Sequence, residues 1–288
     1  MNVNEVEKNS NKTELSIEEL EKLNYYDLFA HLNIPFFNIG GRASIDQLAE
    51  MCHVNQNSHI LEVGCGTGDN AFYLAEKFGC KVIGIDVSDH MIQKARERAE
   101  SIEYTDKVIF EIGNAYNLRF ADGSFDAVIT IFVSHFLDIQ KSFKEFTRVL
   151  KQGGFIGVNE MYKMDEIPEE SIKKIIEAEE NFSDLVQLPF KLYTPQEWKF
   201  ALEINSYKNI FIEHDKIVRK KGSLRRIIHD MGGYKKLFGL LGKAIKLAWK
   251  SKPIRHKFST MNKVKKILLR RKATSKYVGY ILVAGQKS

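Results

Sequence analysis

The chain has 288 residues, 44% of them apolar, which is enough to bury the core of one large domain. No stretch approaches the roughly 18 consecutive apolar residues of a membrane-spanning helix, and the polar amino terminus lacks the apolar segment of a secretory signal, so we expect a cytoplasmic protein. The three cysteines, Cys52, Cys65 and Cys80, have no metal-ligand spacing and are odd in number, which argues against a metal site and a disulfide framework.

The net charge of +6 hides a strong asymmetry along the chain. Residues 216–288 contain 22 Lys or Arg and a single acid, Asp230, which is a balance of +21. The whole chain has 43 basic and 37 acidic residues, so the first 215 residues hold 21 basic and 36 acidic groups, a balance of −15. Such asymmetry indicates that the basic part of the chain binds an anionic partner, and it carries no information about the fold.

The amino-terminal part is predicted to be helical after a disordered tail at residues 1–15. Ser16 and Glu19 have the spacing of a capping box, and one helix is expected to continue from there to about residue 32. A second helix is expected over about 43–53. Residues 16–56 are therefore treated as one helical unit.

From residue 57 onward, apolar strands alternate with helical patterns. Strands are predicted at 59–63, 81–86, 107–112, 125–131, 154–160, 209–214 and 276–285, and helices at 69–78, 89–102, 140–150, 168–181 and 195–204. This alternation predicts an α/β fold with a parallel sheet covered on both faces. The core is expected to comprise 57–215 plus 276–288, with a basic helical insertion at 216–275.

The segment "HILEVGCGTGDN" ends the first strand in a glycine-rich bend. Gly64, Gly66 and Gly68 allow a ligand to approach the backbone where a Cβ atom would exclude it, although a tight turn without a ligand is the alternative. A dinucleotide fingerprint requires Gly or Ala where this chain has Asp69, and that anionic side chain would repel a pyrophosphate. The bend therefore favours a positively charged ligand.

Asp86 ends the second predicted strand, 18 residues after Gly68. An acid at this place can accept hydrogen bonds from both ribose hydroxyls of an adenosine. A lone Asp would more often cap a helix or lie in a loop, but its spacing from the glycine bend favours the ribose interpretation.

Four segments together carry a family resemblance. The segments "LEVGCGTG", "VIGIDVS", "FADGSFDAVIT" and "RVLKQGG" resemble, in order and spacing, the motifs of the class I S-adenosylmethionine-dependent methyltransferases, in particular those that act on small molecules or lipid headgroups. The match extends over 36–160, and a weaker one over 194–215 and 276–285. It implies a Rossmann-like, doubly wound seven-stranded sheet of order 3-2-1-4-5-7-6 with strand 7 antiparallel, a helical amino-terminal lid, and a helical insertion between strands 6 and 7.

The resemblance also implies S-adenosylmethionine as the cofactor and a set of residues that bind it. Glu62 or the amides of the bend would hold the methionine end, Asp86 the ribose, and Val87 and Met91 would flank the adenine unless they are ordinary core residues. Where the family usually has an adenine-binding Asp this chain has Asn114, whose side-chain carbonyl can accept the same hydrogen bond. The full expected set is Glu62, Gly64, Cys65, Gly66, Gly68, Asp86, Val87, Met91, Asn114 and Ala115.

Three residues are catalytic candidates, and no metal is expected. His135 lies in "VSHFLD", which resembles an HxPD element of small-molecule methyltransferases, and its titration range suits a general base. Glu160 ends the fifth strand, where it could orient a substrate or act as a base. Tyr26 lies in the lid. The alternatives are a packed histidine, a solvated or capping acid, and a core tyrosine.

The basic insertion contains an amphipathic pattern at 235–250. Its apolar positions are Leu237, Leu240, Leu241, Ala244, Ile245 and Ala248, and Lys235, Lys236, Lys243, Lys246 and Lys250 lie opposite them. With a second cluster at 263–272, the pattern suggests that 231–272 contacts an anionic membrane surface. The equally weighted alternative is that the apolar face caps the acceptor pocket. Nucleic acid is less favoured, because the aromatic residues join an aliphatic stripe.

The sequence therefore predicts a methyltransferase for a small-molecule or lipid-like acceptor, with a cytoplasmic, peripheral-membrane location. Two alternatives remain: an RNA or protein methyltransferase that docks through the insertion, and a membrane-binding protein whose methyltransferase fold is inactive. The scaffold serves oxygen, nitrogen, sulfur and carbon nucleophiles, so the acceptor atom does not follow from the fold.

Overall fold

The structure is a computed structural model, which describes residues 15–32, 40–100, 106–216 and 233–288. The helices are α1 Ile17–Lys22, α2 Tyr25–His31, α3 Gly41–Met51, α4 Asp69–Phe78, α5 Asp89–Ala99, α6 Ile139–Val149, α7 Glu169–Val186, α8 Pro195–Ile204, α9 Gly233–Lys250, α10 Lys252–Leu269 and α11 Lys272–Ser275. The strands are β1 His59–Val63, β2 Lys81–Asp86, β3 Val108–Ile112, β4 Phe125–Ile131, β5 Leu150–Lys163, β6 Tyr207–Lys216 and β7 Val278–Lys287.

The seven strands form one sheet in the order β3-β2-β1-β4-β5-β7-β6. Strands β3, β2, β1, β4 and β5 are parallel, and β7 runs antiparallel to both β5 and β6. The predicted order and the antiparallel seventh strand are confirmed. The strand order reverses between β1 and β4, so the carboxyl ends of these two strands form the crevice where open α/β sheets bind ligands.

Alternating side chains of the strands supply a core on each face of the sheet. In β4, Ile129 packs on the face covered by α3, α4 and α5, and Val128 packs on the face covered by α6 and α8. Both are fully buried. The central strands are therefore apolar on both faces, as the sequence predicted.

The amino-terminal helix differs from its prediction. The capping box of Ser16 and Glu19 is present, but the helix ends at Lys22 and a second one begins at Tyr25. Asn24 causes the break, because its side-chain oxygen accepts a hydrogen bond from the amide of Asp27 at 2.8 Å and caps a new helix. The predicted disordered tail lies, but for its last residue, outside the described residues.

Several further boundaries differ from the predictions. Strand β6 is two residues longer at each end than 209–214, and β7 and α3 are displaced by two residues from 276–285 and 43–53. Strand β5 begins at Leu150 because that residue already pairs with Phe125 of β4. Helix α7 continues to Val186, and α5 ends at Ala99. The division into 16–56, a core and an insertion at 216–275 stays a prediction. None of the helices in the described segments is both long and apolar enough to cross a bilayer.

Candidate active site

The glycine bend that follows β1 is held against β2. The amides of Gly64 and Cys65 both donate to the carbonyl of Ile85, at 2.7 and 2.9 Å. Gly64, Gly66 and Gly68 all have left-handed backbone conformations, with φ of 74°, 52° and 83°. Glycine adopts these without the steric penalty that a Cβ atom brings.

The three glycines have different neighbours. A Cβ atom at Gly64 would lie 2.2 Å from the side chain of Val133, and one at Gly68 would lie 2.5 Å from Phe110. A Cβ atom at Gly66 would meet no atom within 4 Å. Gly64 and Gly68 are therefore required by the packing of the protein itself, and only Gly66 borders open space that a ligand could fill.

Asp86 lies directly beside this open glycine. Its Oδ2 accepts a hydrogen bond from the amide of Gly66 at 2.9 Å, and its Oδ1 accepts one from the amide of Ser88 at 3.0 Å. Each carboxylate oxygen has a further lone pair for a ligand hydroxyl. Burial raises the pKa of Asp86, although the two amide hydrogen bonds oppose the rise.

Glu62 is buried beneath the bend, and its side chain is only 1% exposed. Its Oε1 accepts a hydrogen bond from the side-chain amide of Asn70 at 3.2 Å, whereas Oε2 has no partner among the described residues. Burial raises the pKa of Glu62 to about 8. A buried carboxyl oxygen without a partner is costly, and an ammonium group would satisfy it.

These residues fit the cofactor that the sequence implied. Open space at Gly66 admits an adenosine, Asp86 can take its ribose, and the free oxygen of Glu62 can take an ammonium such as that of the methionine end.

The remaining predicted cofactor residues lie in two environments. Val87 is 67% exposed and, with the exposed Asn114, lines a cavity of about 610 Å³ at the carboxyl ends of β2 and β3. The Asn114 side-chain oxygen already accepts a hydrogen bond from the amide of Tyr116 at 2.9 Å. Cys65, Met91 and Ala115 are buried. The contribution of these five residues to cofactor binding stays a prediction.

Asp69, whose negative charge the sequence set against a pyrophosphate, has a cation beside it. Its Oδ1 lies 2.8 Å from Nη2 of Arg98, and its Oδ2 accepts a hydrogen bond from the hydroxyl of Thr67 at 3.0 Å. Arg98 lies on α5, far along the chain, so the pairing was not visible in the motif. The neighbouring cation weakens the repulsion of an anionic ligand that Asp69 alone would cause.

His135 and Glu160 form a buried pair after β4 and near the end of β5. Nδ1 of His135 lies 2.5 Å from Oε2 of Glu160, which is an ion-pair distance although its angles fall outside hydrogen-bond geometry. The other oxygen of Glu160 accepts hydrogen bonds from the amides of Val133 and Ser134, at 2.7 and 2.6 Å. Glu160 is therefore buried rather than solvated, and its side chain caps the short 3-10 helix Ser134–Phe136, which carries His135.

Comparisons with known proteins agree with this geometry. Residues 60–154 match the family described as a methyltransferase domain. The chain is 36% identical over 119 residues to the methyltransferase GfsG of Streptomyces halstedii, covering 41% of this chain and 43% of that protein. It is 28% identical over 198 residues to a sterol 24-C-methyltransferase of Debaryomyces hansenii, covering 57% and 52%. The chain thus spans about half the length of these curated relatives.

A solved structure shares the fold at low sequence identity. It is a geranyl diphosphate C-methyltransferase from Streptomyces coelicolor in complex with Mg²⁺, geranyl diphosphate and S-adenosyl-L-homocysteine. The TM-score is 0.58 at 14% identity, over 86% of this chain and 78% of that one.

The chain carries a class I S-adenosylmethionine-dependent methyltransferase domain. The predicted family and the predicted cofactor, S-adenosylmethionine, are confirmed.

An aromatic cluster surrounds His135 in the methyltransferase domain. We use this name for Tyr26, Phe136, Phe182 and Phe190. The His135 ring lies edge-on to Phe136 and Phe190, with centroids 4.5 and 4.7 Å away. Tyr26 packs edge-on against Phe136 at 5.7 Å. The pair of His135 and Glu160 therefore lies in apolar surroundings.

The structure places Tyr26 in this cluster, as a half-buried residue. Burial raises its pKa above the ordinary value, and the nearby Tyr25 and Glu160 raise it further. The phenol is consequently neutral at physiological pH and can donate a hydrogen bond, but it is a poor general base. The predicted catalytic roles of Tyr26, His135 and Glu160 stay predictions.

Two residues of the methyltransferase site escaped the sequence analysis. The hydroxyl of Ser88 donates to Oδ1 of Asp27 at 2.7 Å, which fixes α2 to the start of α5. The amide of the same Ser88 donates to Asp86. The amino-terminal helix is therefore tied to the residue expected to bind the ribose. Ser88 is visible as a helix cap in "DVSD", but Asp27 carries no local signal of this contact.

Proposed function

We propose that the protein transfers the methyl group of S-adenosylmethionine to a small-molecule, lipid-like acceptor bound at the aromatic cluster. One contact supports this more than any other: Val133, which precedes His135 in the loop after β4, packs on Gly64 of the cofactor bend. A cofactor on the bend would therefore lie next to the loop that carries the catalytic candidate.

The reaction needs alignment more than it needs covalent help from the protein. S-adenosylmethionine supplies an electrophilic methyl group, which the acceptor displaces in line, so that placement of the two reactants lowers most of the barrier. Asp86 and Glu62 would hold the ribose and the ammonium end. Glu160 would hold the loop after β4 and orient the His135 ring so that Nδ1 faces the carboxylate of Glu160. Nε2 of His135 would then take the acceptor's proton.

An apolar acceptor is supported by the aromatic side chains around His135. The rings of Tyr26, Phe136, Phe182 and Phe190 pack edge-on or tilted against one another and against the His135 ring. An apolar ligand gains from burying its surface against such rings. The sterol 24-C-methyltransferase relative is named for an acceptor of this class.

Two measurements test the proposal in sequence. Calorimetry with S-adenosylmethionine and S-adenosylhomocysteine should show binding, and its absence in a folded protein would end the methyltransferase interpretation. Radiolabelled S-adenosylmethionine should then be incubated with a cell extract separated into lipid, small-molecule, RNA and protein fractions. We expect label in an organic-soluble fraction, whereas label confined to RNA or protein would contradict the acceptor class.

We also propose that the protein is cytoplasmic and binds peripherally to an anionic membrane through 231–272. The support is the charge balance, because residues 216–288 carry 22 basic groups and one acid. Each Lys or Arg near anionic lipid contributes roughly 1 kcal/mol.

Two other functions can be separated from this one. Salt-dependent binding of transfer or ribosomal RNA that far exceeds vesicle binding would favour the RNA methyltransferase, for which the basic insertion is the docking surface. Cofactor binding without methyl transfer to any fraction would favour an inactive fold. The carboxyl oxygen of Glu62 that has no partner among the described residues and the open space at Gly66 support a site that can bind the cofactor.

A further inference from the structure

Helix α9 presents a row of large apolar side chains to solvent. We call this row the outer stripe. Its members and exposed fractions are Tyr234 55%, Phe238 66%, Leu241 47%, Ile245 60% and Trp249 85%. At about 100° per residue they share an arc of about 80° on the helix. A row of exposed apolar residues on one face marks an interaction surface more often than isolated ones do.

The outer stripe is separate from the face that α9 uses to dock on the domain. Leu247 packs with Leu20, Leu28 and Ile254, which belong to α1, α2 and α10. The sequence placed Leu237, Leu240, Leu241 and Ile245 on one apolar face. The structure divides them, because Leu237 and Leu240 are half-buried whereas Leu241 and Ile245 are exposed. The apolar arc of α9 is therefore wider than the part that packs against the rest of the domain.

Lysines border the outer stripe on one side. Lys235 and Lys246 lie next to it, and Lys243 and Lys250 lie farther round the helix; all four are exposed. None of the four forms an ion pair within the described segments, and the insertion from 233 to 275 has no Asp or Glu in its sequence. A helix with an apolar stripe, a lysine flank and a Trp at its edge has the composition of a membrane-surface helix.

Helix α10 packs differently, although its sequence, with six Lys or Arg against five in α9, is at least as basic. Val264, Ile267 and Leu268 are buried and pack with residues of α7. Lys263 forms an ion pair with Glu177 of α7 at 2.8 Å. The cluster at 263–272, predicted to add to a membrane surface, therefore has its aliphatic residues in the core.

We propose that, within the membrane-binding range 231–272 proposed above, α9 alone is the docking element, with its outer stripe inserted among the lipids of an anionic bilayer. Lys235 and Lys246 would extend along the apolar surface to reach the anionic headgroups. This inference deepens the proposed membrane association, but the docking itself does not depend on methyl transfer. Because α9 packs on α10 and its Leu247 joins the apolar cluster that α1, α2 and α10 share, it would place the lid and the aromatic cluster near the bilayer.

The charges of α9 favour a bilayer over other occupants of the stripe. In a symmetric dimer the same surface would face itself, and the lysines of both copies would meet without an acid in this helix to pair with. A nucleic acid would favour aromatic rings interleaved with the basic groups, whereas the lysines of α9 lie on one flank of the rings. An anionic bilayer offers both an apolar interior for the stripe and negative charge for the flank.

The two tryptophans of the chain make the docking measurable. Trp198 is fully buried and Trp249 is 85% exposed, so a change in emission on adding vesicles reports Trp249. We expect a blue shift with vesicles of phosphatidylcholine and phosphatidylglycerol, and a weaker one with phosphatidylcholine alone. Trp249→Phe should lose the shift while the protein still sediments with anionic vesicles.

Paired variants separate the stripe from the charge. Phe238→Glu with Ile245→Glu should abolish vesicle binding. Lys235→Gln with Lys246→Gln should weaken it by roughly thirtyfold, from about 1 kcal/mol for each lysine. Phe211→Glu is the matched control, because Phe211 is a similarly exposed residue (53%) on β6, and vesicle binding should not change.

Several results would overturn the docking proposal. They are an unchanged emission spectrum, binding that survives the Phe238 and Ile245 substitutions, and a dimer in light scattering that Ile245→Glu dissociates. Transfer RNA that competes fully with the vesicles would do so too. Calorimetry with S-adenosylmethionine confirms that each variant is folded. Vesicle binding without cofactor binding in the wild type would refute the proposed methyl transfer and leave the docking proposal standing.

Discussion

The side chain of Val133 occupies the space that a Cβ atom at Gly64 would need, with Cγ2 only 2.2 Å from that position. Gly64 belongs to the cofactor bend, and Val133 belongs to the loop that Glu160 holds through the amides of Val133 and Ser134. This contact joins the cofactor side of the crevice to the acceptor side. It also means that Gly64, like Gly68, serves packing within the protein.

Alanine at Gly64 and alanine at Gly66 should have different consequences. Gly64→Ala combines a left-handed conformation with a collision, and we expect a loss of about 2–4 kcal/mol in the free energy of unfolding. Gly66→Ala has no collision, so we expect a loss of about 1–2 kcal/mol but at least tenfold weaker cofactor binding. Urea unfolding and calorimetry measure the two quantities. Val133→Ala should partly restore the stability of Gly64→Ala, and no coupling between them would contradict this explanation.

Asp86→Asn should weaken S-adenosylmethionine binding at least tenfold, because two charge-assisted hydrogen bonds to the ribose become neutral ones. In the wild type, cofactor affinity should fall as the pH drops through the raised pKa of Asp86, since the protonated acid accepts more weakly. Calorimetry from pH 4 to pH 8 tests both. An Asp86→Asn variant that keeps the wild-type acid dependence would show that another group is responsible.

Glu62 should release a proton when the cofactor binds. Its pKa of about 8 keeps it protonated at pH 7 in the free protein, and an ammonium against the carboxylate would favour the ionised form. Calorimetry at pH 7 in buffers of different ionisation enthalpy should detect this proton in the wild type and not in Glu62→Gln. Equal proton release in both proteins would rule out Glu62 as its source.

The same pKa gives a prediction for the stability of the cofactor-free protein. A carboxyl with a folded pKa of about 8 and an ordinary value of 4.5 binds its proton more tightly in the folded state. Its contribution therefore decreases the free energy of unfolding as the pH rises from about 4.5 to about 8. Glu62→Gln should be less sensitive to pH than the wild type across this window in urea unfolding. Identical slopes would contradict the assignment.

Glu160 is expected to act as a positioning residue. Glu160→Ala leaves the amides of Val133 and Ser134 without a partner, and we expect a loss of about 2–4 kcal/mol in the free energy of unfolding. Glu160→Gln keeps an acceptor for the amides but removes the charge beside His135. The variant should unfold at the wild-type urea concentration and bind the cofactor with a Kd within about twofold of the wild type. Its kcat should fall, and the dependence of kcat on pH should shift. A normal pH profile in Glu160→Gln would assign the residue a purely structural role.

Much of this architecture follows from local patterns in the chain. Apolar runs of strand length, a glycine-rich bend and an acid at the end of the next strand are short-range features. They predict the strands, the crevice and Asp86 because each depends on residues close in sequence. The order of the outer strands came from the resemblance to a family, since no periodicity encodes which strands are neighbours.

Contacts between distant residues could not be predicted in this way. His135 and Glu160 meet because Ile131 of β4 pairs with Asn159 of β5, a register that brings together residues 25 positions apart. Asp69 has a neighbouring cation because α5 brings Arg98 to the bend.

Helix α9 illustrates the same division. Its helical spacing and its lysine flank can be read directly from residues 235–250. Which part of its wide apolar arc is buried depends on α1, α2 and α10, whose positions are set by packing across the whole domain. The local sequence therefore specifies that α9 is an amphipathic helix, and the neighbouring helices specify which of its side chains face solvent. The reason is that burial depends on the surroundings of a residue and not on the residue itself.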